Sequence, residues 1–110
     1  MTLNAESNPR NVVFDVGRVL IDFGYDQLFA LLRSRGADIT DEADFADRVG
    51  LIPYEHGRIS DDEFLDRIAS QLKQPLSRDA IARAWNDIFS PVDAMFTLAR
   101  QLKSHCHVYL

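Results

Sequence analysis

Apolar positions along this chain begin as short contiguous runs, become helical stripes, and return to a run at the end. Val12-Val13-Phe14 and Val19-Leu20-Ile21 flank Asp15 and Gly17, a pattern that predicts a buried strand entering a tight loop. From Asp26 the spacing is helical. Leu28, Leu31 and Leu32 form one face that Gly36 ends, and Phe45 and Val49 stand one turn apart behind a Thr40 N-cap, with Gly50 and Pro53 closing that helix. Ser60-Asp61-Asp62-Glu63 has the S-x-x-E spacing of a capping box, and the helix it opens carries Phe64, Leu65, Ile68 and Leu72 before Pro75. Ser77 caps the next, with Ile81, Ala84, Trp85 and Ile88 as its stripe. Pro91 opens a last helix bearing Val92, Met95, Phe96, Ala99 and Leu102, and His107-Val108-Tyr109-Leu110 begins a second strand.

One strand, four or five helices and the opening of another strand predict an α/β chain whose parallel sheet is incomplete. At 110 residues and 46% hydrophobic content there is enough material for one modest core. The formal net charge of −5 gives no general attraction to nucleic acid or to an anionic membrane surface, so an anionic substrate needs a local cation. A single cysteine, Cys106, excludes an intramolecular disulfide. No stretch has the length of a signal peptide or a membrane span, and a cytoplasmic location is expected.

Asp15 is the candidate functional residue. A carboxylate just past a buried strand is costly unless a partner or metal compensates it, and the carboxyl ends of parallel strands are where α/β sheets bind ligands. On position alone, Asp15 reads equally as a side chain capping the following turn.

The stretch from Asn11 to Phe23, with Val-Val-Phe-Asp-Val-Gly-Arg-Val-Leu-Ile-Asp-Phe at its centre, resembles the first motif of the haloacid dehalogenase superfamily. Tyr54-Glu55-His56-Gly57-Arg58-Ile59-Ser60 is similar to the Y-E-x-G-x-I-S stretch of that superfamily's helical caps. Trp85 to Phe89 and the approach from Leu98 to Leu110 also match, and the order of elements is similar to that of the sugar-phosphate phosphatase branch. The resemblance implies a Rossmann-like core with an inserted helical cap. Its divisions would be a polar arm at residues 1–10, a core strand and catalytic loop at 11–24, a cap at 25–90, and a return helix with the start of a second core strand at 91–110.

The resemblance further implies a phosphatase acting on a small phosphorylated metabolite through an aspartyl-phosphate on Asp15, with Mg²⁺ held by Asp15 and the Gly17 backbone carbonyl. Many superfamily phosphatases carry a second Asp where this chain has Gly17, and some sugar-phosphate members have glycine there. A 2-haloacid dehalogenase-like hydrolase is the enzymatic alternative, although its loop usually has an aromatic residue in place of Gly17. The family's phosphate-binding Ser/Thr, its Lys and its distal acidic metal ligands fall beyond the position of Leu110. The chain alone is therefore expected to be inactive, and to self-associate through its unfinished sheet. From another class, a non-catalytic helical module binding a partner through an open apolar face is the alternative.

Arg18, where the family favours small or amide residues, reads as a surface side chain. His105, Cys106 and His107 read as a polar strand entry with an inert thiol, the two histidines sharing one face of the strand. The acids between Asp38 and Asp47 lack calcium-loop spacing and read as a solvated helix face. Trp85 and Phe89, at helical spacing, read as core. Glu55 and His56 fall in a cap loop to which no role is assigned.

Overall fold

The computed structural model describes residues 10–110, so all of the polar arm expected at 1–10 except Arg10 lies outside the described residues. The fold is α/β. In chain order the elements are β1 (Asn11–Val13), β2 (Ile21–Phe23), α1 (Asp26–Ser34), α2 (Glu42–Val49), α3 (Leu51–Glu55), α4 (Asp61–Ser70), α5 (Arg78–Asn86), β3 (Phe89–Pro91), α6 (Asp93–Leu102) and β4 (His107–Tyr109). They divide into two compact units, one made of the residues up to Phe23 with Phe89–Leu110, the other of Gly24–Ile88. Among the described residues no helix is long and apolar enough to cross a membrane.

The first unit holds both sheets. β1 pairs in parallel with β4, Asn11 opposite His107 and Val13 opposite Tyr109, while β2 pairs antiparallel with β3, Ile21 opposite Pro91 and Phe23 opposite Phe89. Its core is Phe14, Leu20 and Leu102, with Val12, Val19, Met95, Phe96, Ala99 and Val108 packed around them. The α6 stripe thus buries the face its periodicity predicts.

Two strand expectations change. β1 is not buried on both faces: Val12 points into the core and Val13 is 70% exposed, because strand alternation sends it to a face that nothing covers among the described residues. Pro91, expected to open a helix, lies in β3. Proline lacks an N–H but its carbonyl can still pair at a sheet edge, and α6 begins two residues later after Val92.

The second unit is helical and is centred on Leu28, Leu32, Phe45, Val49, Phe64, Ile68 and Ile81, each 2% exposed or less. Rings interlock above this aliphatic layer. Phe45 lies 5.2 Å from Phe29, Tyr54 stacks on Phe64 at 4.0 Å, and Trp85 sits 4.9 Å from Phe64 edge-on and 6.3 Å from Phe45. Trp85 packs against these rings but is only half-buried; Phe89 is instead a β3 residue 47% exposed, 6.4 Å from Phe23.

Caps explain where the helices begin. Ser60 and Ser77 each accept a backbone N–H three residues on, from Glu63 and Ala80, at 3.1 Å, and the Glu63 carboxylate pairs forward with Arg67. The cap of α2 is Asp41 rather than Thr40. Asp41 Oδ1 accepts the Asp44 N–H at 2.8 Å, and Asp44 Oδ2 accepts the Thr40 N–H at 2.9 Å, so two carboxylates out-compete the hydroxyl for free donors at a helix N-terminus. Gly50, at φ +67, ends α2 and starts α3, whose Pro53 stays in a first turn that needs no amide donor.

This assignment predicts that Asp41→Ala lowers unfolding free energy by about 1 kcal/mol, the usual loss for a carboxylate cap. Thr40→Ala, which keeps the backbone N–H that Asp44 uses, should cost well under half of that. Urea titration followed by circular dichroism separates the two, and equal losses would return the cap to Thr40.

Candidate functional site

Asp15 follows β1 directly. The parallel ladder runs one bond past the strand, from the Phe14 N–H to the Tyr109 carbonyl at 2.8 Å, so Phe14 is the last residue tied down and Asp15 the first beyond the carboxyl end. Phe14 turns into the core at 6% exposure, and its neighbour is therefore delivered to the surface. The Asp15 side chain is exposed. Its Oδ1 accepts the Val16 N–H at 2.9 Å, and Oδ2 has no protein partner among the described residues.

The loop that follows is closed by a single acceptor. The Val16 carbonyl takes the N–H groups of Leu20 and Ile21, each at 3.0 Å, and the Arg18 N–H returns to the Ile21 carbonyl at 2.8 Å. Gly17 is bracketed by these bonds, while its own carbonyl accepts none among the described residues. Two hard oxygen atoms two residues apart, the Asp15 carboxylate and the Gly17 carbonyl, are thus left unsaturated. Oxygen donors of this kind suit a small divalent cation.

Glycine at position 17 is not imposed by geometry. Its φ is not positive, and a Cβ built there meets nothing within 4 Å. The left-handed residue of the turn is Arg18, at φ +65, an unusual conformation for a residue with a side chain. Its guanidinium supplies the compensation. Nη1 donates to Asp22 Oδ1 and to the Phe23 carbonyl, both at 2.8 Å, and the guanidinium carbon stands 3.8 Å from the centre of the Phe23 ring. Arg18 is therefore more than a surface side chain, because it fastens the loop to β2. Asp22 and Phe23 are the partners that linear spacing gave no reason to select, although Arg18 and Asp22 stand four residues apart.

The remaining candidates do not join Asp15. Among the described residues no group of three or more His, Cys, Asp or Glu side chains is arranged to hold a metal ion. His105 lies in the turn before β4 and only His107 in the strand, so the two do not share a strand face; the Cys106 thiol donates to the Leu102 carbonyl at 3.4 Å. The acids around Asp44 are spent on capping and on Arg48, 2.8 Å away, and the Asp44 carboxyl is held below its usual range by the Thr40 N–H first and Arg48 second. Glu55 and His56 are exposed at the end of α3. Neither Asp15 nor Gly17 lines the concavity of about 460 Å³ that lies between α6 and β4 and includes Phe96, Arg100, His107 and Tyr109. Its walls are mostly hydrocarbon, with no carboxylate among them. Ligand chemistry at Asp15 is that of an open loop.

No protein-family model matches the chain, and no solved structure matches it. Among curated proteins it is similar to a D-ribitol-5-phosphate phosphatase of Bacteroides thetaiotaomicron, 29% identical over 104 residues that make up 92% of this chain and 50% of that protein. The chain spans about half the length of that relative.

Two outcomes follow from the loop. Gly17→Asp should leave unfolding free energy within about 0.5 kcal/mol of the parent or raise it slightly, since a Cβ there meets nothing within 4 Å and a side chain lowers unfolded-state entropy; a loss above about 2 kcal/mol in urea titration would mean that the open space is not there. Asp22 gives the pH dependence. Its carboxyl is held below the usual 3.8 by the Arg18 guanidinium first and the Phe23 N–H second. A carboxyl lowered on folding contributes above its unfolded value, and that contribution disappears as the pH falls through the lowered one. Amide exchange at Arg18, Leu20 and Ile21 should therefore be protected equally at pH 7 and pH 5 once corrected for intrinsic rates, and lose protection below about pH 4. In Asp22→Asn that acid-dependent step should be missing.

Proposed function

We propose that this chain carries the nucleophile of a phosphatase acting on a small sugar- or polyol-phosphate, within a Rossmann-like core of the haloacid dehalogenase type bearing a helical cap. The observation that carries the reading is the Asp15 carboxylate, held just beyond the carboxyl end of a parallel strand with one oxygen unpartnered. Similarity to a D-ribitol-5-phosphate phosphatase supports phosphoester over carbon–halogen chemistry.

In this reading Asp15 Oδ2 attacks phosphorus, the bond from phosphorus to the ester oxygen breaks, and the departing alkoxide takes a proton from water. Water then attacks phosphorus of the aspartyl-phosphate, phosphate leaves, and the carboxylate is restored. The Val16 N–H, bonded to Oδ1, fixes the carboxylate rotamer so that Oδ2 is the attacking atom. Gly17 supplies no acid, so proton transfer to the leaving group falls to solvent.

Asp15 and the Gly17 carbonyl are the residues that would hold Mg²⁺, and the hard oxygens of a carboxylate and of a carbonyl that accepts no bond among the described residues fit it. When bound, the ion offsets the repulsion between carboxylate and phosphate. Arg18 is committed to Asp22 and Phe23, and acts by keeping the loop closed rather than by meeting phosphate.

Because the chain alone is expected not to turn over, the test reads a single phosphoryl transfer: the chain is incubated with Mg²⁺ and a panel of pentose and pentitol phosphates, and acid-quenched mass spectrometry detects a phosphoryl adduct while any phosphate release is followed in parallel. Asp15→Asn should abolish both the adduct and any release, a loss of about 10³-fold or more for removal of a covalent nucleophile. Phosphate release that survives Asp15→Asn, or an adduct on another residue, would overturn the assignment.

A further inference from the structure

The helical unit has a concavity of its own, about 210 Å³, lined by Tyr54 of α3, Asp61 and Leu65 of α4, and Ala82, Trp85 and Asn86 of α5. Asp61 and Leu65 stand one turn apart, as do Ala82 and Asn86, so α4 and α5 each present a single face to it. We infer that this concavity is a binding site for a small organic cation, an alkylammonium group, seated beside the Asp61 carboxylate in the corner made by the Tyr54 and Trp85 rings, whose centroids stand 6.5 Å apart at 70°. The proposal does not depend on the function assigned to Asp15.

Three observations carry it. The carboxylate is oriented before any ligand arrives: the Tyr54 hydroxyl donates to Asp61 Oδ1 at 2.8 Å, and Oδ2 has no hydrogen-bond partner among the described residues. The same bond holds the Tyr54 phenol above its ordinary range, so the hydroxyl keeps the proton it donates to Asp61. Aromatic rings beside a carboxylate form the chemical set that attracts ammonium groups.

Charge is the second observation. No lysine or arginine lines the concavity. Arg78 is taken by Asp66 at 2.6 Å and Asp62 at 3.5 Å, and Arg67 by Glu63 at 3.1 Å. Residues 24–88 contain 13 acidic and 8 basic side chains, so this unit's balance of −5 equals the formal net charge of the whole chain. An anionic ligand, including a phosphate ester, is opposed there. A neutral polyol would be indifferent to this field, whereas a cation gains from it.

Size is the third. At about 210 Å³ the space is smaller than the roughly 300 Å³ at which pockets for drug-sized ligands begin, which limits the occupant to a group such as trimethylammonium on a short stem. Leu65 and Ala82 supply apolar contact for its methyl groups.

Trp85 is the chain's single tryptophan, so its emission reports on the concavity without labelling. The experiment titrates the full chain with choline chloride at constant ionic strength, and in parallel with its uncharged isostere 3,3-dimethylbutan-1-ol and with ribitol. Choline should give a saturable change in Trp85 emission, with the isostere at least about 5-fold weaker, the factor that corresponds to about 1 kcal/mol of cation–ring and ion-pair attraction. Asp61→Asn, whose amide carbonyl can still accept the Tyr54 hydroxyl, should weaken choline by a similar factor while far-UV circular dichroism is unchanged. Asn86→Asp, on an exposed position at the rim, should tighten it several-fold. No saturable change with choline, an isostere as tight as choline, or an Asn86→Asp variant that binds choline no better would each overturn the proposal. Ribitol binding more tightly than choline would reassign the space to a hydroxylated ligand.

Discussion

Parallel pairing of Asn11–Val13 with His107–Tyr109 is the constraint on which the first unit rests. Parallel strands cannot be joined by a tight turn, so everything between residues 13 and 107 has to be accommodated before the ladder can close. The chain meets that requirement by sending Gly24–Ile88 into a separate helical unit and returning through β3 and α6. Once closed, the ladder fixes the Phe14 backbone to Tyr109, and strand alternation does the rest: Phe14 turns inward and Asp15 is presented at the end. Burying Phe14 and exposing Asp15 are the same structural event.

What makes Asp15 chemically interesting is how the next residues spend their hydrogen bonds. The Val16 carbonyl serves both Leu20 and Ile21, which closes the turn and leaves the Gly17 carbonyl unused. A tight turn usually places glycine where the backbone is left-handed. Here Arg18 takes that conformation, offset by its bonds to Asp22 and Phe23 and by its contact with the Phe23 ring. Both members of the Arg18–Asp22 pair are more than half exposed, so the pair orders the loop more than it adds to global stability.

The helical unit follows a different economy. Seven side chains at or below 2% exposure make an aliphatic and aromatic centre, and outside it Asp41 caps a helix while Asp44 and Glu63 pair with arginines one turn away. Carboxylates near helix N-termini satisfy free N–H groups and oppose the dipole, which is why so acidic a unit can remain closely packed. Asp61 differs from the others in turning toward a ring-lined space and a tyrosine hydroxyl.

Local periodicity determined the longer helices, because an amphipathic stripe and a cap act over a few residues: Phe64 with Ile68 behind Ser60, and Ile81 behind Ser77, sit where their spacing places them, whereas the five-residue α3 falls where Gly50 and Pro53 read as a helix end. It also singled out Asp15, since an apolar run broken by a carboxylate is visible without partners, whereas Gly17 entered as a metal-binding candidate only through the resemblance to a known family motif. Tertiary structure alone decided that β1 has one open face, that Phe89–Pro91 is a strand and not the start of a helix, and that Arg18 belongs to Asp22 and Phe23. Three-residue strands carry too little pattern to announce themselves, and they exist only because a distant segment supplies their hydrogen bonds. The exposure of the Gly17 carbonyl and the openness of Asp15 Oδ2 depend on which donors the folded loop consumes, a competition that no single stretch of sequence contains.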